Sequence, residues 1–170
     1  MTVIEPDFSD PSGDEAEALA RDRIPVRSMT EADLPAVVAI DRKLNGTGRD
    51  RTAYYEAKLA EMLNESGVRV SLVAEVDGIF AGFVMARVDY GEYGRTAQSA
   101  VLDTIGVAPA FQHRGVADAL TSQLLLNLRS LGVDTIFTRV AWNAHGLLRY
   151  FERSGFAPSQ RLCFRKPLAR

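Results

Sequence analysis

Gln112-His113-Arg114-Gly115-Val116-Ala117 follows an apolar run, Val101-Leu102-Asp103-Thr104-Ile105-Gly106-Val107, and opens a leucine-patterned segment that reaches Leu131. A strand, a short turn and a glycine at the mouth of a helix suit a phosphate group. The first amide N–H groups of a helix lack intrahelical partners and point beyond its N-terminus. With no Cβ at Gly115 and only a methyl at Ala117, a diphosphate can approach closely enough to collect several of those donors. No Gly-Lys-Ser/Thr follows the glycine, which disfavours a nucleotide-binding P-loop.

Downstream, Ala117, Leu120, Leu124, Leu125, Leu128 and Leu131 keep helical spacing, and Gly132 stands where a C′ glycine ends a helix. Val133–Val140 then reads as a strand reached through that helix, so it runs parallel to the 98–107 strand in a right-handed crossover. Asn143 to about Ser154 is a second amphipathic helix closed by Gly155, and Gln160–Lys166 returns as a last strand.

Upstream, two apolar runs, 69–76 and 79–88, flank Asp77-Gly78, the strongest hairpin signal in the chain. Gln98–Val107 is a third long strand expected to pair with the second, and Pro109 closes it. Ile24–Met29 alternates like a strand, with Pro25 favouring its start or a sheet edge. Thr30 reads as a helix N-cap with Asp33 in the capping-box position, opening a helix from Glu31 to about Lys43. The Gly-rich loop around Asn45–Arg51 carries Arg49 and Arg51 and leads into a helix from Arg51 to about Glu65. That loop is either a plain connection or a holder of an anionic group.

At 170 residues, 46% hydrophobic and 25% charged, the chain has the make-up of one soluble domain with a real core. Residues 1–22 hold seven acids against Arg21 alone, with few large apolar groups, and are expected to form a disordered acidic tail. Residues 23–170 are expected to form a single domain. Its 15 acids and 19 bases make a mildly basic body, suited to an anionic small ligand but too scattered in charge for nucleic acid. One cysteine, Cys163, excludes an internal disulfide, and His113 and His145 form no zinc-like spacing, so no metal is expected. The acidic N-terminus is the reverse of a basic signal or transit peptide, and no membrane span is visible, so a cytoplasmic protein is expected.

The element order resembles the GNAT superfamily of acyl-CoA-dependent N-acetyltransferases over about residues 24–168. The resemblance rests on Gln112-x-x-Gly115-x-Ala117, on Ile105-Gly106-Val107-Ala108-Pro109 before it, and on Arg153-Ser154-Gly155-Phe156 at the close of the later helix. It implies an α/β (α+β) fold with a mixed, mostly antiparallel sheet of six to seven strands flanked by about four helices. The sheet would splay at the strand preceding the pyrophosphate loop. The pantetheine arm of acetyl-CoA, the cosubstrate, would lie in that gap against the backbone of Ile105 and Val107. The loop Gln112, His113, Arg114, Gly115, Val116 and Ala117 would hold the pyrophosphate. Arg114 would add charge there, and the His113 side chain would be a surface neighbour. Asn143, the helix-opening asparagine, joins the cofactor-binding residues. Dimerisation is common among such proteins, so a homodimer is one expected assembly.

The chemistry asked of the remaining residues is modest: an amine loses a proton, attacks the thioester and releases a thiolate. Asp103 is the candidate base, expected on strand alternation to share a face with Ile105 and Val107. Glu75 and Glu92 are weaker candidates. The resemblance also implies a tyrosine acid seven residues after the helix-opening asparagine and four before the closing glycine. Counting from Asn143 gives Tyr150, whereas counting back from Gly155 gives Phe151. One residue turns a helix position by about 100°, so only one of the two can face the thiol, and Tyr150 is the candidate acid. The resemblance implies as acceptor a primary amine of a small molecule or a protein, and Arg49 and Arg51 suggest one bearing an anionic group. A non-catalytic acyl-CoA-binding or regulatory module is the alternative function.

Overall fold

Asp77 and Gly78 both adopt positive φ, 54° and 73°, the combination that a tight hairpin between twisted strands requires. They join β2 (Arg69–Val76) to β3 (Ile79–Tyr90) in the computed structural model, which describes residues 23–46, 51–64, 69–90, 97–160 and 164–168. The acidic segment 1–22, Arg49 and Glu92 lie outside the described residues. β3 pairs antiparallel with β4 (Gln98–Val107), and β1 (Val26–Ser28) pairs antiparallel with β2. β5 (Thr135–Thr138) lies parallel to β4, giving the order β1-β2-β3-β4-β5.

The fold is thus the expected mixed, mostly antiparallel α/β arrangement, with five strands among the described residues where six to seven were anticipated. The difference lies at the C-terminal end. Part of the expected 160–166 strand falls outside the described residues, and 164–168 carry no ladder.

Four α-helices accompany the strands among the described residues: α1 (Leu34–Asn45), α2 (Thr52–Asn64), α3 (Val116–Ser130) and α4 (His145–Arg153). A short 3₁₀ turn, Glu31–Asp33, precedes α1, and the backbone N–H of Thr30 donates to Asp33 Oδ2 at 2.8 Å, as a capping box does. α3 ends in a left-handed Gly132, whose N–H donates to the Arg129 carbonyl at 3.0 Å while that of Val133 donates to Leu128 at 3.1 Å. No helix among the described residues is long and apolar enough to cross a membrane.

Two glycines report which helix covers which sheet face. A Cβ on Gly82 would meet Val116 and Leu120 of α3, whereas one on Gly106 would meet Phe83 and Ile40 of α1. Since Gly82 and Phe83 are successive strand residues pointing to opposite sides, α3 covers one face and α1 with α2 the other. On the α1/α2 face Met29, Val37, Val38, Ile40, Tyr55, Leu59, Val73, Phe83 and Met85 form one buried apolar cluster. At roughly 1.5–3 kcal/mol for each large apolar side chain, such a cluster is the main term holding the two helices to the sheet.

The described chain divides into two compact units, the second beginning at Val140. It contains α4, where Phe151 is buried and packs edge-on against Phe156 with ring centroids 4.9 Å apart.

Candidate active site

β4 is paired on both sides only over part of its length. β5 meets it at Ser99–Leu102, and the last contact is a Thr138 hydroxyl donating to the Leu102 carbonyl at 3.1 Å. Residues 103–107 have no described strand on that side. Ala108 donates its N–H to the Ala81 carbonyl of the β3 segment at 2.8 Å. By the alternation of an antiparallel ladder, Gly106 also faces β3, and the N–H and C=O groups of Ile105 and Val107 point into the opening. The Val107 carbonyl accepts a long bond from Gln112 Nε2 at 3.4 Å. An extended chain entering this gap finds strand-like donors and acceptors, as in β-augmentation.

Where β4 leaves β5, its register with β3 shifts. Leu102 pairs with Ala86 and Thr104 with Met85, so Asp103 is an extra residue, a β-bulge. A bulge re-aims side chains and breaks the period-2 alternation. Asp103 therefore does not share the face of Ile105 and Val107, as simple alternation predicts. The partners of those two, Val84 and Gly82, look toward α3. The Asp103 carboxylate instead lies on the α1/α2 face, 3.7 Å from Lys58 Nζ of α2 and paired with Arg87 of β3. Burial is the largest single influence and works against the Arg87 charge, but the hydrogen bonds and charge attraction of Asp103 and Asp89 together outweigh it and raise the guanidinium pKa above its ordinary value.

The gap leads along β4 to the glycine loop. A 3₁₀ turn at Pro109–Phe111 redirects the chain, and His113 and Gly115 both take left-handed backbone conformations, φ 59° and 81°. Turns of this kind gather successive N–H groups into an anion-binding concavity. Gly115 is the N-cap of α3 and, as a glycine, offers no side-chain cap of its own. Val116 is buried with its side chain under Gly82, while Ala117 is half-buried one residue into the helix. Gln112, His113 and Arg114 are exposed, and the Arg114 guanidinium lies 5.4 Å from the centroid of the Phe111 ring. Asp118 adds an acid to the first turn, stabilising the helix dipole at some electrostatic cost to an incoming anion.

A polar network is buried between α1, α2 and β4. Asp41 Oδ1 accepts from the Tyr55 hydroxyl and from Asn45 Nδ2, both at 2.8 Å, and Arg51 Nη1 lies 3.2 Å away. Burial pushes the Tyr55 hydroxyl pKa up, reinforced by Asp41 and opposed by a hydrogen bond with Thr104. Arg51 also lies over the Tyr54 and Tyr55 rings at 5.1 and 5.4 Å. It is therefore built into the helix pair, and the expectation that it meets an anionic acceptor loses its basis.

The remaining candidates separate cleanly. Glu75 is 2.8 Å from Arg27 at the β1–β2 edge, remote in register from the bulge. In the second unit Asn143 is an exposed turn residue two positions before α4, Tyr150 is half-buried, and Phe151 is buried on Phe156. Lys58 and Arg87 are the residues sequence reasoning missed. A signal existed for Arg87: it continues the Phe83–Met85 face of β3, placing a charge where the alternation calls for an apolar residue.

β4 thus runs from its stretch with no described neighbour, residues 103–107, into the glycine-mouthed start of α3. The chain belongs to the acetyltransferase (GNAT) family, whose model matches residues 34–156, and is an acyltransferase. Solved structures share the fold at low identity. The aminoglycoside acetyltransferase AAC(6')-Iy, in complex with a bisubstrate analogue of CoA, is 20% identical with a TM-score of 0.71, covering 86% of this chain and 99% of that one. A transcriptional regulator from Bacillus halodurans C-125 is 17% identical with a TM-score of 0.73, covering 84% and 99%. The 6'-N-acetyltransferase AAC(6')-Ih from Acinetobacter baumannii is 17% identical with a TM-score of 0.70, covering 86% and 99%. No curated protein matches the chain.

Proposed function

We propose that the protein transfers an acetyl group from acetyl-CoA to a primary amine of a small molecule by direct attack on the thioester. The observation that carries this is the outward-facing backbone of Ile105 and Val107 in the unpaired stretch of β4, continuous with the Gln112–Ala117 loop. The amide groups of Ile105 and Val107 receive the pantetheine arm and polarise the thioester carbonyl, while Gly115, Val116 and their neighbours receive the pyrophosphate. That AAC(6')-Iy is solved with CoA on the same fold supports the choice of cosubstrate.

The acceptor amine, once neutral, attacks the carbonyl carbon. The C–N bond forms, the C–S bond breaks, and CoA leaves as a thiolate. Asp103, next to the open stretch of β4, takes the amine proton directly or through a water. Tyr150 protonates the thiolate. Phe151, the neighbouring candidate, is buried and packs on Phe156, which leaves the role to Tyr150. Asn143 joins the cofactor-binding set at the entry to the same helix.

Release of free CoA thiol from acetyl-CoA, measured across a panel of amines, tests the proposal. Turnover with at least one small amine, lowered about 10²-fold or more in Asp103→Asn, is the expected result. Tight CoA binding without transfer to any amine, including protein lysines and N-termini, would mark a binding module instead.

A further inference from the structure

Asp103 does not stand alone on its face of the sheet. Lys58 Nζ lies 3.7 Å from Asp103 Oδ2, Arg87 Nη1 pairs with Asp103 Oδ1, and Arg87 Nε lies 3.3 Å from Asp89 Oδ1. In these pairs two cations and two carboxylates alternate along the strand face. The side chains are 12% exposed at Asp103, 19% at Lys58, 28% at Arg87 and 33% at Asp89. That gradient runs from a sheltered carboxylate to a solvated rim, so the charges are partly desolvated yet reachable.

Partly desolvated charges satisfy one another until a ligand supplies replacements, and any ligand that removes one partner leaves the other uncompensated. A polycationic acceptor bound at Asp103 would displace Lys58 and Arg87 from that carboxylate and set their charges beside its own. An anionic acceptor would face Asp103 and Asp89. A molecule bearing one ammonium and one carboxylate on a short skeleton can exchange with the internal pairs one for one.

We propose that the acceptor is a small amino-carboxylate, its amine received by Asp103 and its carboxylate by Lys58 and Arg87. This deepens the N-acetyl transfer proposed above and rests on it. The reaction step is balanced as before: the C–N bond forms, the C–S bond breaks, and the amine proton passes through Asp103 to solvent. The product keeps its carboxylate but has lost its ammonium charge, so it no longer compensates Asp103. Acetylation thereby removes half of the recognition and favours release.

The test compares amino-carboxylates with their methyl esters, which keep the amine and mask the carboxylate, and with diamines of similar length. Turnover of acetyl-CoA is measured at matched concentrations of the free-base amine. The free acids are expected to exceed their esters in kcat/KM by about tenfold or more, since charged hydrogen-bonding sites discriminate strongly against ligands that leave them unpaired. Lys58→Met and Arg87→Gln should each cut the acid-to-ester ratio by about tenfold, chiefly through KM, and Lys58→Arg should restore most of it. Acetyl-CoA affinity, measured by calorimetry, serves as the check on folding, with Lys58→Met decisive if Arg87→Gln fails it. A preference for esters or diamines overturns the proposal, as does an acid-to-ester ratio unmoved by Lys58→Met in protein that binds acetyl-CoA normally. Absence of turnover with every amine, in protein that still binds acetyl-CoA, defeats N-acetyl transfer itself rather than the choice of acceptor.

Discussion

The Tyr55 hydroxyl donates to Asp41 Oδ1 at 2.8 Å in the core between α1 and α2, and Tyr55 also packs edge-on against Phe83 with ring centroids 5.9 Å apart. Helix, helix and sheet meet at one side chain. Tyr55→Phe keeps the ring contact and removes the donor, leaving Asp41 to Asn45 and Arg51. The expected cost is about 1–3 kcal/mol, the desolvation of a buried acceptor that has lost a partner. Thermal unfolding should shift down by about 2–4 °C for each kcal/mol. Asp41→Ala should cost more, because it takes the acceptor away from the Tyr55 O–H and the countercharge away from Arg51 together. A Tyr55→Phe midpoint equal to that of the wild type would show the bond to be energetically idle.

Gly115 and Gly82 should respond to alanine in opposite ways. At Gly115 a Cβ meets only Ile24 Cδ1 at 3.8 Å, so space is available and the penalty is the positive φ of 81°, roughly 1–2 kcal/mol. With the diphosphate held at this loop as proposed, the larger effect of Gly115→Ala should fall on acetyl-CoA, weakening binding by about tenfold or more with a modest change in melting temperature. At Gly82 a Cβ would stand 2.8 Å from the Gly106 carbonyl oxygen and 3.0 Å from Val116 Cγ1. Backbone cannot swing aside, so Gly82→Ala should lower the melting temperature more than Gly115→Ala. Calorimetric unfolding and acetyl-CoA titration of the two variants separate these effects.

Much of this architecture is legible from local sequence, because its signals are local. Asp77-Gly78 requires two left-handed residues and adopts them, Gly132 and Gly155 close helices where spacing places them, and Thr30 with Asp33 forms its capping box. What escaped depends on pairing between distant segments. The bulge at Asp103 exists only as a register difference between β3 and β4, and no residue type announces it. The same cause hid Lys58, which reaches Asp103 from a helix some 45 positions away. Arg51 misled for a related reason: a loop arginine next to glycines gives no sign that Asp41 and two tyrosine rings already hold it.

Acid should weaken the β1–α1 junction in a defined window. The Arg27 guanidinium, hydrogen-bonded to Asp33 at 2.8 Å through both Nη1 and Nη2, holds the Asp33 carboxyl at about 2 against an ordinary 3.8, with burial opposing and Thr30 assisting. The folded value lies below the unfolded one, so the stability is fully present above about pH 4 and is lost as pH falls toward 2. Arg27 is 45% exposed, and screening reduces the full linkage value to about 1 kcal/mol. Asp33→Asn should lower stability near neutrality and flatten its decline between pH 4 and 2. Denaturant unfolding at several pH values checks this, and an acid slope unchanged in the variant would assign the dependence to other carboxylates.

Tyr150 and Phe151 are neighbours on α4 with ring centroids 5.4 Å apart, yet their substitutions should read out in different experiments. Phe151 is buried against Phe156, so Phe151→Ala removes a packed aromatic ring and should cost about 3–5 kcal/mol of stability. Tyr150→Phe keeps the ring and removes only the hydroxyl, so the fold should survive with little change. If that hydroxyl protonates the departing thiolate, kcat should fall by about 10²-fold at unchanged acetyl-CoA affinity, and the alkaline limb of the kcat–pH profile should flatten. The pH profile separates an acid from a packing residue, which would lower kcat, if at all, without changing its shape. Normal turnover in Tyr150→Phe would remove Tyr150 from the mechanism and leave protonation of the thiolate to water.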